Sequence, residues 1–326
     1  MSKLKLATLT LVILITCAHG FAADLNNTSS PVAGFFLPDS VSEVTLHYRR
    51  INNLILLPVT INGDIHVNLI LDTGCRNVVL FGRRFLKDFE IHPDKRVEFS
   101  GLGSGASTEG RISLGNKVAI DAAIGERIPV VIVPNPNLFG AYMDVDGIIG
   151  YDIFIKFEIE LQASQQLITF RPAQTATLSD EYNLIPIRIE DSRPIVSSSI
   201  SLFGGDEAVD IMIDTGSSLG LLLKNNEGYH LSPDAKTTIL GRGLNGPIEG
   251  INVRAESISL HEFLLTEVPV GVVRSAWSGS PSIGMDVLSE YSLVLNYCKG
   301  YAGLKREAVP FTSPSKRSRR IADNDF

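Results

Sequence analysis

The sequence predicts an all-β, mainly antiparallel fold in which one β-rich unit is built twice along a single chain. Three observations carry this expectation. Short apolar or alternating runs of β-type composition recur throughout, separated by clusters of Gly, Pro, Asn and Asp. Helical pattern is scarce, and its best candidates are short stretches after Asp152 and after Asp286. The tripeptide Asp-Thr-Gly occurs twice, as Asp72-Thr73-Gly74 and Asp214-Thr215-Gly216, each time closing an alternating apolar run.

Taken in order, the first half offers strands over Leu54 to Ile61, Val67 to Leu71, Val78 to Phe81, Val130 to Val133 and Phe157 to Leu161. The second offers Ile195 to Leu202, Val209 to Ile213, Leu221 to Leu223 and Val268 to Val273. The halves also match outside the tripeptides. Phe99-Ser100-Gly101-Leu102-Gly103 is echoed by Ile239-Leu240-Gly241-Arg242-Gly243, Glu109-Gly110 by Glu249-Gly250, and Ile128-Pro129-Val130 by Val268-Pro269-Val270, all 140 residues apart. The aspartates are 142 apart, and Ile148-Ile149-Gly150 and Ser282-Ile283-Gly284 are 134 apart. Offsets that close need only short loop insertions, so the order of elements is kept. A given tripeptide turns up by chance in roughly one chain in fifteen of this length, and two copies inside such a register are an internal duplication.

A length of 326 residues suits two domains, each able to bury a core, with 44% hydrophobic and 20% charged residues as in a globular protein. The junction is expected near Arg171 to Tyr182, where apolar pattern lapses, dividing the chain into 24–172 and 173–309. A formal net charge of -7 argues against a nucleic-acid partner. Residues 1–23 read as an export signal: Lys3 and Lys5, an apolar run from Leu6 to Thr16, and small residues at Ala22-Ala23. A periplasmic or secreted protein follows. The run is too short to span a bilayer comfortably, so no stable membrane insertion is expected. Cys17 could carry a lipid, but Thr16 before it is a poor match to the small residue such attachment requires. Residues 310–326, with Lys316, Arg317, Arg319 and Arg320, read as a solvated basic tail.

The two aspartates are the candidate chemistry. Two carboxylates supplied by two similar halves can hold one water between a charged and a neutral acid. Either Asp-Thr-Gly alone would be an ordinary turn after a strand; inside the duplication they become equivalent loops. Other signals are weaker. Gly241-Arg242-Gly243-Leu244-Asn245-Gly246 fits a dinucleotide-binding glycine pattern, but no helical run follows it. His47, His66, His92, His230 and His261 lack metal-ligand spacing, and neither a metal nor a cofactor is expected. No Gly-x-Ser-x-Gly elbow is present. Trp277 reads as a loop aromatic, with a cleft-lining role as the alternative. Cys75 and Cys298 leave one bridge or two free thiols open.

Together these residues resemble the aspartic proteases of the pepsin and retropepsin type: an apolar strand ending in Asp-Thr-Gly, a Gly-containing flap hairpin, then an apolar pair followed by Gly, all repeated over roughly residues 40 to 305. The resemblance implies a bilobal aspartic-protease fold made of two retropepsin-like β-barrel lobes, with a cleft completed within one chain and hence a monomer. It implies catalytic roles for Asp72 and Asp214, and active-loop support from Thr73, Gly74, Thr215, Gly216 and Ser217. Gly101, Gly103, Gly241 and Gly243 would lie in flaps over a protein or peptide substrate. Ile148-Ile149-Gly150 and Ile283-Gly284 would pack behind the active loops.

The chain departs from the pepsin pattern in three places. Cys75 stands where the second half has Ser217, so a hydrogen bond from position 75 to Asp72 would be a weak thiol one. Ser282 stands where the first half has Ile148, and no Tyr occurs between Gly101 and Gly110. These departures move the resemblance toward bacterial retropepsin-like proteins with two repeats in one chain. An exported endopeptidase is the first reading. A catalytically inactive exported binding module on the same scaffold is the alternative.

Overall fold

A computed structural model of the chain describes residues 33–99, 108–134, 144–225, 236–243, 246–274 and 279–307. The leader, Cys17, the basic tail, Trp277, Gly101 and Gly103 lie outside the described residues.

Every strand run named from the sequence forms a strand, most of them a few residues longer than the apolar run itself. Two-residue hairpin tips explain several extensions. Asp121 and His261 sit at equivalent tips with φ of 53° and 55°, a conformation that Asp and His tolerate better than branched residues do. Thus the run at Val130 begins at Ala123 and the run at Val268 begins at Phe263. The two expected helical stretches are single turns, Tyr151–Phe154 and Met285–Leu288.

Among the described residues the strands make three sheets. One, of nine strands, is built from the first half, and one, of eight strands, from the second. Their wiring is the same. Ile65–Leu71 pairs antiparallel with Leu54–Ile61 and parallel with Gly147–Ile149. Gly205–Asp214 pairs antiparallel with Arg193–Leu202 and parallel with Ser282–Gly284. Val78–Phe81 and Leu221–Lys224 each run parallel to the long strand that ends near Val133 or Val273. The fold is therefore all-β and mainly antiparallel, in two lobes, with a few parallel pairs at equivalent places.

The third sheet has six strands and draws on both halves. Its central pair is Phe157–Gln162 against Tyr291–Asn296, with Ile159 opposite Leu295 and Leu161 opposite Leu293. Under the 134-residue offset this pairing maps onto itself, so a pseudo-two-fold axis runs through it. Phe154, Phe157 and Phe170 are among the largest fully buried side chains, and one apolar core runs continuously from the first half into the second. Apolar burial at about 25 cal/mol per Å² thus joins the two halves as well as filling each. No helix among the described residues is long and apolar enough to cross a membrane.

Candidate active site

Each Asp-Thr-Gly follows the last residues of a buried central strand, where the sheet ends and the backbone turns. Behind the first loop, the Asp72 amide donates to Ile149 O at 2.9 Å and the Tyr151 amide to Cys75 O at 2.8 Å. Behind the second, the Met285 amide donates to Ser217 O at 2.8 Å and the Gly284 amide to Gly220 O at 2.9 Å. The glycines that close these strands permit the approach. A methyl added at Gly150 would strike Cys75 O, and one at Gly284 would lie 2.8 Å from Ser217 O. Ile148-Ile149-Gly150 and Ile283-Gly284 thus lie behind the loops as expected, backbone against backbone.

The two loops are locked by their threonines. The Thr73 amide donates to Thr215 Oγ1 at 3.1 Å and the Thr215 amide to Thr73 Oγ1 at 3.0 Å. Each hydroxyl in turn donates across the axis, Thr73 to Ile213 O at 2.6 Å and Thr215 to Leu71 O at 2.8 Å. Both threonines are fully buried.

This lock brings the carboxyls together. A methyl placed on Gly74 would lie 3.0 Å from Asp72 Oδ1 and 3.7 Å from Asp214 Oδ1. One placed on Gly216 would fall within the Asp72 carboxyl group. Each aspartate also accepts the amide of its own glycine, Gly74 to Asp72 Oδ1 at 2.6 Å and Gly216 to Asp214 Oδ1 at 3.1 Å. Asp72 keeps some solvent access, whereas Asp214 is 8% exposed.

Burial raises the pKa of both carboxyls, and the negative charge of Asp72 pushes Asp214 up further. The Gly74, Cys75 and Gly216 amides and the positive charge of Arg193 work in the opposite direction. The pair therefore retains a proton to higher pH than two isolated aspartates would, and it titrates as a unit.

Neighbouring positions differ between the halves. The Cys75 thiol donates to Asn77 O at 3.4 Å and makes no hydrogen bond to Asp72, so the weak thiol contact considered from sequence is absent. Burial and the Asp72 charge push this thiol well above its ordinary pKa. Ser217 Oγ accepts the Leu219 amide at 3.3 Å. Cys75 and Cys298 are both free.

Among the flap residues, Gly241 and Gly243 lie in Thr238–Gly243, which pairs with Gly246–Leu260, Gly243 opposite Gly246. A methyl at Gly241 would touch Leu219 Cδ1 at 3.0 Å, so the hairpin leans over the second active loop. The first-half hairpin pairs Ile91–Phe99 with Thr108–Ile120, and its tip lies outside the described residues. No group of three His, Cys, Asp or Glu among the described residues is arranged to hold a metal ion.

Sequence reasoning missed four residues around the aspartates. Ser282 is buried beside Asp214 and lowers its pKa, although its hydroxyl makes no well-formed hydrogen bond. Its register opposite Ile148 was legible, but not its direction. Arg193 acts on both carboxyls from the start of a strand more than 20 residues before Asp214 in the chain. Asp152 is held up at about 6 by burial, with Oδ2 unpartnered. Tyr297 is 5% exposed, stacks on Phe154, and also leaves its hydroxyl unpartnered. Asp152 closes the repeated segment Ile148-Ile149-Gly150-Tyr151-Asp152, matched by Asp286, but Arg193 and Tyr297 belong to no local motif.

A duplicated β-lobe that sets two Asp-Thr-Gly loops face to face across a threonine lock defines the aspartic-protease class of fold. The chain matches the aspartyl protease family over residues 57–153 and 199–287, more than half its length and one match in each repeat. It belongs to that family. No curated protein matches the chain at a significant level.

Proposed function

We propose that this protein is an exported aspartic endopeptidase, monomeric and acting on proteins or peptides outside the cytoplasm. The observation that carries the reading is the meeting of Asp72 and Asp214, each against a glycine of the other loop, in surroundings that keep one proton on the pair. Export is supported by the basic, apolar and small-residue order of residues 1–23. The catalytic unit then consists of lobes 24–172 and 173–309.

The chemistry follows from the shared proton. The ionised carboxylate takes a proton from a water held between the two acids, and the water oxygen bonds to the peptide carbonyl carbon. The protonated carboxyl gives its proton to the carbonyl oxygen, forming a gem-diol. Collapse of that intermediate breaks the C–N bond: the leaving nitrogen takes the proton that the first carboxyl gained from water, a gem-diol hydroxyl returns its proton to the second, and the dyad again holds one proton. The Gly74 and Gly216 amides orient the carboxylates, and the threonine lock keeps them at a fixed separation. This sequence needs no metal or cofactor.

The test is cleavage of a mixed peptide library by the purified mature chain between pH 3 and 8, with Asp72→Asn and Asp214→Asn alongside. Cleavage lost in both variants supports the dyad. Cleavage that survives either substitution overturns it, and none at any pH leaves the inactive binding module as the function of the fold.

A further inference from the structure

Each half opens with a two-residue hairpin tip that reaches across to the other half. The tips are Asn52-Asn53, with φ of 48° and 69°, and Asp191-Ser192, with φ of 47° and 70°. Leu56 stands opposite Ile70 and Ile195 opposite Met212, in both cases two residues before the Asp of the active loop. The register therefore makes Leu54 and Arg193 equivalent. From the first tip, Asn53 Nδ2 donates to Asp286 Oδ1 at 3.2 Å, and nearby Arg50 donates to Ser289 Oγ at 2.7 Å. From the second, Asp191 is ion-paired to Arg76, four residues past Asp72.

The residue after each tip differs in kind. Leu54 is buried in an apolar cluster with Leu56, Ile70 and Ile148. Arg193 has a side chain 38% exposed, and its one ion pair among the described residues is with Asp191 at 3.8 Å, beyond hydrogen-bond length. Asp191 is already engaged by Arg76, so two guanidinium groups share that carboxylate and the charge of Arg193 is only loosely paired. That charge reaches the carboxyl pair, since it lowers the pKa of both aspartates. The surroundings of the acids are thus cationic on one side of the pseudo-two-fold axis, where the equivalent place on the other side holds a buried apolar residue.

We propose that Arg193 is a specificity-determining residue that accepts a Glu or Asp side chain of the peptide on one side of the scissile bond only. The proposal rests on the peptidase reading of the same site. A guanidinium offers paired donors to a carboxylate, and one lacking a close partner has donors free for it. The asymmetry follows from the exchange of Leu54 for Arg193, because a two-fold-symmetric cleft would treat both sides of the bond alike.

Binding and cleavage test it separately. Hexapeptide pools carrying a reduced, uncleavable bond, with Glu or Gln fixed at each position flanking it, are titrated by fluorescence anisotropy into the mature chain and into Arg193→Gln and Arg193→Lys. Thermal melts check that the variants fold. On one side of the bond the Glu pool is expected to bind about 10- to 100-fold tighter than the Gln pool. Arg193→Gln should erase that difference, and Arg193→Lys should keep part of it.

Equal affinity for Glu and Gln at every position overturns the proposal, as does a preference on both sides or one that survives Arg193→Gln. The same sequences with ordinary amide bonds, given to wild type and Asp72→Asn, report on the peptidase reading. Binding preference without cleavage would remove that reading and leave the assignment of Arg193 intact. Cleavage without preference would do the reverse.

Discussion

Thr73 and Thr215 hold each other by two reciprocal hydrogen bonds, each hydroxyl accepting the other's amide while donating to a strand carbonyl on the opposite side. Replacing either by Val leaves a buried amide and a buried carbonyl without partners, at about 2–5 kcal/mol. Thr→Ser keeps both bonds and should cost far less. Because the two residues form one unit, the double Val variant is expected to lose less than the sum of the singles. Denaturant melts of the four proteins of the cycle measure that coupling.

Gly216 lies so close to Asp72 that no side chain fits between them. Gly216→Ala must displace the Asp72 carboxyl or open the loop, at about 1–3 kcal/mol of stability. Peptidase activity should fall by more than the stability change implies, because a displaced acid no longer shares its water. Gly63→Ala is the control: its φ of 93° is also unfavourable for Ala, but nothing lies within 4 Å of the added methyl. It should lose a similar amount of stability and keep its activity. Comparable activity losses in the two variants would contradict this.

The carboxyl pair also sets a pH dependence of stability. Folded pKa values raised above the ordinary aspartate range mean that the native state binds more protons than the unfolded chain in that window. Stability contributed by the pair is therefore highest below about pH 4 and falls as pH rises through the raised values. Asp72→Asn or Asp214→Asn removes the buried like charge, so each should raise the melting temperature at pH 7–8 and change it little at pH 4. Asp152, held at about 6 by burial, predicts the same trend for Asp152→Asn. Each kcal/mol corresponds to roughly 2–4 °C, and calorimetry across pH checks the sign.

The six-stranded sheet that joins the halves carries two buried carboxylates, and Glu160 gives stability a pH dependence of the opposite sign. Tyr182 donates to Glu160 Oε1 at 2.6 Å, and Tyr301 donates to Glu158. Although burial alone would raise Glu160, the Tyr182 and Arg171 contacts bring its pKa below the ordinary value. That stabilisation is present above the unfolded pKa and is lost as pH falls through the folded one. Tyr182→Phe should cost about 1.5–3 kcal/mol at pH 7 and progressively less on acidification. Tyr297→Phe removes a hydroxyl that has no partner, so its melting temperature should stay level or rise.

Much of this site is legible in the sequence. The repeat register alone made Asp72 and Asp214 equivalent, made the glycines after them equivalent, and set Gly150 against Gly284. The strands found by pattern carry apolar or alternating runs, although Leu167–Pro172 and Tyr291–Asn296, which carry them too, were not among those named. Thr108–Ile120 and Gly246–Leu260 were not found, because glycines at 110, 115 and 250 interrupt their alternation. In the fold, Gly110 and Gly250 lie against Val131 and Val272, so the residues that hid these strands are ones their packing requires. Glu158 and Glu160 alternate with Phe157, Ile159 and Leu161, a pattern that fits a strand with one solvated face. Tyr182, Tyr301 and Asn296 of the second half close over that face instead.

The sequence by itself determined the duplicated β-fold, the two loops and the identity of the paired acids, because these depend on local period, turn chemistry and equivalence between repeats. The resemblance already implied that Thr73 and Thr215 brace the loops; only the tertiary structure decided what else surrounds the acids: Ser282 beside Asp214, and a charged Arg193 where the other half buries Leu54. Those contacts join residues up to 144 apart in the chain, as Thr215 and Leu71 are in the threonine lock. No periodicity or local spacing encodes them. They follow from docking one half on the other about a pseudo-two-fold axis, which brings equivalent positions face to face even where the two copies no longer carry the same residue.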